Sequence, residues 1–318
     1  MQKRNMPGTT VDILLSTFNG EQHLAEQLES LLKQDFTGWK LIVRDDASGD
    51  GTFGILRQYA DRFPGKIDLS DDRAKLGFSS SFAELLKRSS AEYVMFCDQD
   101  DSWNSDKIST LLALIRREEK KLPGIPHLVF SDLSLMDENG ESIRGSFLAL
   151  TGYEEKYGQE QFFLRNYVPG CSLLFNRALA EKALAVPDHL GYHDHRVIFT
   201  CAATGKITYC DRALMHYRLH GKNAIGLSER KSESFSVGFK TLVKFIFANR
   251  AYRNVRYGAN LRQMKETGDR FANELTEPAL RLYKWEDAGY LRRKRWNLSA
   301  PFVHEKTLTE RLVYFFCF

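Results

Sequence analysis

Apolar and polar residues run in blocks along residues 11–137, and the period of the blocks switches back and forth between that of a strand and that of a helix. VDILLSTF, residues 11–18, predicts a strand, because a short continuous apolar run fits a strand buried on both faces. NGEQ then opens a helix on which Leu24, Leu28, Leu31 and Leu32 fall at i, i+4, i+7 and i+8. LIVRDD predicts a second strand, SGDGT a turn, and Ile55, Leu56, Tyr59 and Phe63 line one face of a second helix. IDLS, FAELLKRSS and YVMFCD supply a third strand, a third helix and a fourth strand, and DKISTLLALIRREEKK and HLVFSDLSLM another helix and strand. This alternation predicts an α/β fold, a doubly wound, mostly parallel sheet flanked by helices.

Beyond residue 137 the alternation loosens. DENGESIRGSF and TGYEEKYGQEQFF read as a long loop or lid, GCSLLFNR as a strand, HRVIFTCAATG as a helix ending at Gly205, and KITYCD and LMHYRLH as two strands. From Ser228 onward the chain reads as helical, which divides it into a body, residues 1–227, and a C-terminal region, residues 228–318. Charge sharpens that boundary. The net charge is +4, yet residues 228–318 hold 18 Lys plus Arg against 10 Asp plus Glu, a surplus of eight that leaves the body four negative. In FKTLVKFIFANRAYRNVR, Leu242, Val243, Phe245, Ile246 and Phe247 are interrupted by Lys240, Lys244, Arg250 and Arg253. Such a basic amphipathic helix is expected to make peripheral contact with an anionic membrane, each basic group near the surface adding about 1 kcal/mol. The alternative is a helical bundle packed back on the body with a solvated basic face. No nucleic-acid reading module accompanies these charges, so nucleic acid is not an expected partner. The polar start MQKRNMPGTT and the lack of a long apolar run make the cytoplasm the expected location. Five cysteines without a CxxC pair argue against a disulfide framework or a zinc site.

Candidate chemistry gathers where predicted strands end. In doubly wound sheets ligands bind beyond the carboxyl ends of the strands, so Asn19, Asp45, Asp46, Asp98, Asp100 and Asp101 are expected at one edge. Neither GxGxxG nor GxxxxGK[ST] is present. Asp98-Gln99-Asp100-Asp101 is instead a set of hard oxygen ligands suited to Mg²⁺ or Mn²⁺ with substrate phosphate oxygens. The competing reading is a solvated acidic turn that caps the helix beginning near Ser105, with Asp106 a helix N-terminal charge. Phe18 offers a flat face for a base, and Asp46 could accept the N3–H of a uracil or thymine. Alternatively Phe18 is core, and Asp45 and Asp46 cap the SGDGT turn.

STFNG, VRDDASGDGT, KLGFSSSFAELL, FCDQDDSW, PGCSLLFNR, YHDHRV and YRLHGKN, in this order, resemble a family 2 glycosyltransferase of the GT-A fold, and most of all its rhamnosyltransferase-like branch. The resemblance covers residues 10–225. It implies a nucleotide pocket at Ser16, Phe18 and Glu21, with Asp46 reading the pyrimidine and Gly77 covering the base. Asp98 would face ribose and metal, and Asp100 would ligate the divalent cation that bridges the diphosphate. His193-Asp194 matches the motif that supplies the general base, with Asp194 the base and His193 an orienting neighbour. Arg218 and His220 match a loop that closes over the diphosphate, with His220 a further metal ligand; Asp101 would orient the acidic loop or face the acceptor. The implied reaction is inverting: Asp194 takes the proton of an acceptor hydroxyl as its oxygen attacks the anomeric carbon opposite the leaving diphosphate. The donor expected is a dTDP- or UDP-sugar, with rhamnose as the sugar, and the acceptor a cell-surface polysaccharide or lipid-linked glycan. Ser81 stands where Asn is commoner in that branch, and Ser105 where Pro precedes Asp-Lys. Two other readings share parts of the pattern. A metal-dependent nucleotidyltransferase would need a basic phosphate loop that STFNGEQ lacks, and a non-catalytic sugar-nucleotide binding module would keep Phe18 and Asp46 but lose Asp194.

Overall fold

The computed structural model describes residues 10–163, 166–186, 192–220, 263, 265–277, 279 and 280. Among these, one mixed sheet carries the fold. Its strands are β1 (Val11–Thr17), β2 (Trp39–Asp45), β3 (Ile67–Leu69), β4 (Tyr93–Cys97), β5 (Ser102–Trp103), β6 (His127–Met136), β7 (Ser142–Ser146), β8 (Leu173–Asn176) and β9 (Lys206–Arg218), in the spatial order β3-β2-β1-β4-β8-β6-β9-β5, with β7 paired to β6. The helices are α1 (Leu24–Leu32), α2 (Thr52–Arg62), α3 (Phe78–Arg88), α4 (Lys107–Lys121), α5 (Phe147–Thr151), α6 (Arg177–Ala185) and α7 (His193–Thr204).

Every residue of β1 and of β4 is buried; β4 is apolar throughout, as a strand covered on both faces requires, and the one charge in β1, Asp12, accepts from the Ser89 hydroxyl and the Ser90 and Ala91 amides. Leu15 pairs with Val43 on one side and Cys97 on the other. That register fixes the working edge, because the next residues of each chain, Ser16-Thr17-Phe18, Arg44-Asp45-Asp46 and Asp98-Gln99, emerge at one level. β8 runs antiparallel to β4, Leu174 opposite Met95, so the Pro169–Ser172 turn that precedes β8 returns to the same edge. β9 runs parallel to β6 and ends at Arg218. The edge is therefore fed by parallel strand ends and by one antiparallel strand beginning, with α3 against β1 and β2, and α4 against β6 and β8.

Several expectations change. The apolar face of α1 is as read, with Leu24, Leu28 and Leu31 buried, but the helix begins at Leu24 and residues 21–23 form a turn. KITYCD and LMHYRLH are not two strands; β9 is continuous and absorbs Asp211 and Arg212 at a register shift against β6. DENGESIRGSF is no lid: β7 folds back on β6, and the Ser146 hydroxyl caps α5 by accepting the Ala149 amide. The acidic run does not cap α4, whose N-cap Asp106 makes no side-chain cap and instead accepts from Arg212.

Most of the basic C-terminal region, including FKTLVKFIFANRAYRNVR and LRRKRW, lies outside the described residues. Part of the remainder packs on the body: Thr276 donates its amide to the Ala203 carbonyl at 2.7 Å, Lys182 pairs with Glu274 at 2.6 Å, and Ala279 is buried. Among the described residues no helix is long and apolar enough to cross a membrane.

Candidate active site

A cavity of about 340 Å³ opens at the carboxyl edge. It is lined by Ser16, Phe18, Asp46, Gly77, Asp98, Asp100, His193 and Asp194 of the expected residues, joined by Thr17, Lys75, Phe78, Gln99, Pro169, Gly170, Tyr192 and Tyr217. Glu21, Asp101, Arg218 and His220 are outside that lining.

At the end of the cavity beside β2, Asp46 extends the β1–β2 ladder by one rung, its amide donating to the Thr17 carbonyl at 2.8 Å. Its carboxylate is nearly buried and richly served. Oδ1 accepts from Arg44 Nη1 at 2.8 Å, from the Leu76 amide at 2.7 Å and from the Ser81 hydroxyl at 3.0 Å, while Oδ2 accepts the Gly77 amide at 3.0 Å. Burial opposes ionisation, but Arg44 first and then these donors outweigh it and hold the carboxyl below the usual carboxylate range. Gly77 reaches this position with φ +85°, a conformation that a side chain would strain. Ser81, where Asn was the commoner residue, takes part in the network by accepting from Arg44 and donating to Asp46. Asp45 is the turn cap of the competing reading: buried, it accepts from the Ser48 amide and hydroxyl and from Thr17. Phe18 is not core. It is 42% exposed, and the Lys75 ammonium sits 3.9 Å from its ring centroid.

Gln99 ties this end to the acidic loop. Its Oε1 accepts the Phe18 amide at 2.8 Å and its Nε2 donates to the Phe18 carbonyl at 3.1 Å, with the bare Cα of Gly20 packed against the same amide group. Glu21 serves the neighbouring turn, accepting the Gly51 amide at 2.5 Å.

The three carboxylates of the acidic loop differ in surroundings. Asp98 lines the cavity, and burial, then the charges of Asp100 and Asp194, push its carboxyl up to about 7. Asp100 also lines the cavity and meets His220 Nε2 at 2.9 Å. Asp101 is fully buried beneath; its Oδ1 accepts the Arg218 amide at 3.1 Å, and its Oδ2 has no partner among the described residues. Asp100 and the His220 imidazole are donor types that Mn²⁺ takes, while among the described residues the possible ligand atoms that converge within 4.8 Å of one another belong to Asp98, Asp101 and Cys171. Arg218 does not face the cavity. Its guanidinium is buried in contacts with the Asp100 and Glu138 carbonyls and with Glu26 at 2.6 Å, so it clamps the acidic loop to α1 and to the β6–β7 turn.

Across the cavity, the first turn of α7 presents His193 and Asp194. Asp194 accepts from Asn166 Nδ2 at 3.0 Å and from the His195 amide at 2.7 Å. His193 stacks on Phe82 at 3.9 Å between the rings of Phe78 and Phe96, and this burial pushes its imidazole down to about 3, so it is neutral at any ordinary pH. Gly170 packs closely here: a Cβ would stand 3.0 Å from His193 Nε2 and 3.2 Å from Asp194 Cβ, so the neighbours would have to give by a few tenths of an ångström to admit one. Lys75, Gln99 and Gly170 were not singled out from the sequence. Each lay in a quoted segment, Lys75 in KLGFSSSFAELL, Gly170 in PGCSLLFNR and Gln99 between Asp98 and Asp100.

A family model described as glycosyl transferase family 2 matches residues 12–182, more than half of the chain. The dTDP-rhamnosyl transferase RfbG of Shigella flexneri is 27% identical over 243 residues, 72% of this chain and 78% of RfbG. EpsE of Bacillus subtilis is 30% identical over 129 residues, 40% of this chain and 46% of EpsE, so that match spans less than half of that relative. Among solved structures, S. aureus TarS 1-349 in complex with UDP-GlcNAc superposes with TM-score 0.54 at 17% identity, over 97% of this chain and 79% of TarS. The mannosyltransferase PcManGT of Pyrobaculum calidifontis, in complex with GDP-Man and Mn²⁺, gives TM-score 0.51 at 15% identity, over 96% of this chain and 85% of PcManGT. At such identities the structural likeness speaks for the fold, which is GT-A, while the family match speaks for the chemistry: the chain belongs to glycosyl transferase family 2.

Proposed function

We propose that the chain transfers a sugar, with inversion, from a dTDP- or UDP-activated donor to a hydroxyl of a cell-surface polysaccharide or lipid-linked glycan, with rhamnose the sugar. The observation that carries this reading is a single cavity in which an exposed aromatic ring and a buried ionised carboxylate, Phe18 and Asp46, face the Asp98 and Asp100 carboxylates, with Asp194 on the opposite wall. Rhamnose and dTDP rest on the resemblance and on RfbG, whose name carries both.

Each residue then has a task. Phe18 stacks the base, and Asp46, held ionised by Arg44 and three further donors, accepts the imide N–H that uracil and thymine share and cytosine lacks. Asp98, Asp100 and His220 hold Mg²⁺ or Mn²⁺, which when bound stabilises the charge developing on the leaving diphosphate. Asp194, fixed by Asn166, removes the acceptor hydroxyl's proton. Neutral His193 and the aromatic wall around it exclude water from that side, which protects the donor from hydrolysis.

The test is a calorimetric screen of nucleotide-sugars with Mg²⁺ or Mn²⁺, followed by Asp194→Asn. The variant is expected to bind the donor as the wild type does and to lose transfer by a factor of 10² or more. Loss of donor binding would mark Asp194 as structural, and GDP- or CMP-sugars binding as tightly as dTDP- or UDP-sugars would refute the role given to Asp46.

A further inference from the structure

Lys107, the first residue of α4, is fully buried, a rare setting for a lysine without a salt-bridged partner. Its Nζ donates to the Cys171 carbonyl at 2.6 Å, approaches the Met215 sulfur at 3.0 Å and stands 3.5 Å from the Trp103 ring centroid. A carbonyl, a thioether and a π face are all neutral.

The matching negative charge is close at hand. Cys171, whose carbonyl holds the ammonium, places its Sγ in one group with a carboxylate oxygen from Asp98 and one from Asp101, the three atoms lying within 4.8 Å of one another. Asp98 and Asp101 act electrostatically on Lys107, and Lys107 acts on Asp98. Asp101 is as buried as the lysine; burial, then the charges of Asp100 and Asp98, push its carboxyl well above the usual carboxylate range, and its Oδ2 accepts no hydrogen bond among the described residues. Arg218, the other buried cation of the neighbourhood, gives Asp101 only its backbone amide, because its guanidinium is committed to Glu26. A carboxylate with an open oxygen and an ammonium with neutral ligands share one dry layer under the cavity, where charges are weakly screened and act without touching.

We propose that Lys107 is a positioning residue, a resident counter-cation that holds the Asp98–Asp101 loop together while the cavity is empty, and that lysine and divalent cation neutralise the same carboxylates and therefore oppose each other. The inference rests on the metal role proposed above for Asp98 and Asp100. With the cation bound and Asp98, Asp100 and Asp101 ionised, three carboxylates and one ammonium leave two negative charges, the complement of one divalent cation. Without the ammonium the empty loop repels itself more strongly and attracts the cation more strongly. Linkage makes the two effects equal: the factor gained in metal affinity is the factor by which metal repairs the lost stability. A lysine that served only to fill space would do the reverse, since its removal would loosen the ligands and weaken the site.

The experiment uses the full chain with Lys107→Met, which keeps the length of the stem, and Lys107→Gln, which keeps a donor for the Cys171 carbonyl. Mn²⁺ binding is followed by the electron paramagnetic resonance of the free ion, and thermal unfolding is recorded with EDTA and with Mn²⁺. Both variants are expected to melt below the wild type in EDTA, to bind Mn²⁺ at least ten-fold more tightly, and to gain more in Tm from Mn²⁺ than the wild type does. A variant that folds only with Mn²⁺ supports the proposal in its strongest form. Folded variants with unchanged or weaker Mn²⁺ binding overturn it, as does failure of both variants to fold with or without Mn²⁺. A wild type that takes up no Mn²⁺ removes the metal reading itself and the proposal with it, whereas wild-type binding with unshifted variants removes the proposal alone.

Discussion

Arg44→Met isolates the support beneath Asp46. The native pair is almost dry, with side-chain exposures of 2% and 6% and an N–O distance of 2.8 Å. Breaking a buried pair from one side typically costs about 3–5 kcal/mol, because the remaining charge keeps its desolvation penalty and loses its compensation. Here the Leu76 and Gly77 amides and the Ser81 hydroxyl stay on Asp46, which sets the expectation at the low end, about 3 kcal/mol. The Arg44 contact to the Ala74 carbonyl is lost as well, so the segment that carries Lys75 to Gly77 loosens. For a chain of 318 residues the loss lowers Tm by about 4–5 °C. Scanning calorimetry checks that shift, and titration with dTDP and UDP checks that nucleotide binding weakens with it. Asp46→Asn alone should also destabilise, while the double variant Arg44→Met/Asp46→Asn should cost less than the sum of the two, since it leaves no bare charge in the core. A single-variant cost under about 1 kcal/mol, or strict additivity, would falsify the view that this pair positions the carboxylate.

Phe18→Ala should weaken nucleotide binding by about 1–3 kcal/mol, the usual contribution of an aromatic platform under a base, with little change in Tm because the ring is 42% exposed; equal affinity in a calorimetric titration would remove Phe18 from the site. Gly170→Ala adds a methyl group 3.0 Å from His193 Nε2, so kcat should drop about ten-fold or more while the donor KM moves little; an unchanged kcat would mean that this wall tolerates displacement. The raised carboxyl of Asp98 makes the stability of the metal-free protein depend on pH. Its folded pKa of about 7 lies above the unfolded value, so its contribution is fully present near pH 4 and is lost as pH rises through 7, at up to about 1.4 kcal/mol per unit. Tm in EDTA should therefore fall between pH 5 and pH 7.5 and flatten in saturating Mn²⁺; parallel profiles with and without the ion would argue against Asp98 as a ligand.

The central strands were legible because burial on both faces leaves a mostly apolar signature, as in VDILLST and YVMFC. That Asp46, Asp98 and Asp100 share one edge was legible for a related reason, since each follows such a strand and the parallel register brings those ends to one cavity. The later half was harder to read. β7 and the continuous β9 contain exposed residues such as Ile143, Asp211 and Arg212, so pairing with β6, rather than local pattern, makes them strands. Long-range partners also separated residues that looked equivalent. Asp45 and Asp46 are adjacent, yet Ser48 claims one and Arg44 the other. Arg218 seemed placed to meet a diphosphate, but Glu26, 192 residues earlier, takes its guanidinium. Gly170 lay inside the quoted PGCSLLFNR segment, but its reason for being small was hidden, because its close neighbour, the His193 ring, reaches it only through the fold.

The paired hydrogen bonds between Gln99 and the backbone of Phe18 have a mechanical consequence. A primary amide offers one donor and one acceptor in the same spacing as a peptide group, so Gln99 behaves as an extra rung laid beyond the last rung of the β1–β4 ladder. The loop bearing Asp98 and Asp100 and the ring of Phe18 thus form one rigid lever rather than two sites that share a wall. Glutamate at 99 would set an oxygen against the Phe18 carbonyl and disconnect the lever without changing its shape. With it intact, settling of the acidic loop around its guest is transmitted to the aromatic ring, and a nucleoside seated there restrains the loop in return. On the proposed function, the two halves of a nucleotide-sugar would be sensed together, which would favour the whole donor over either fragment.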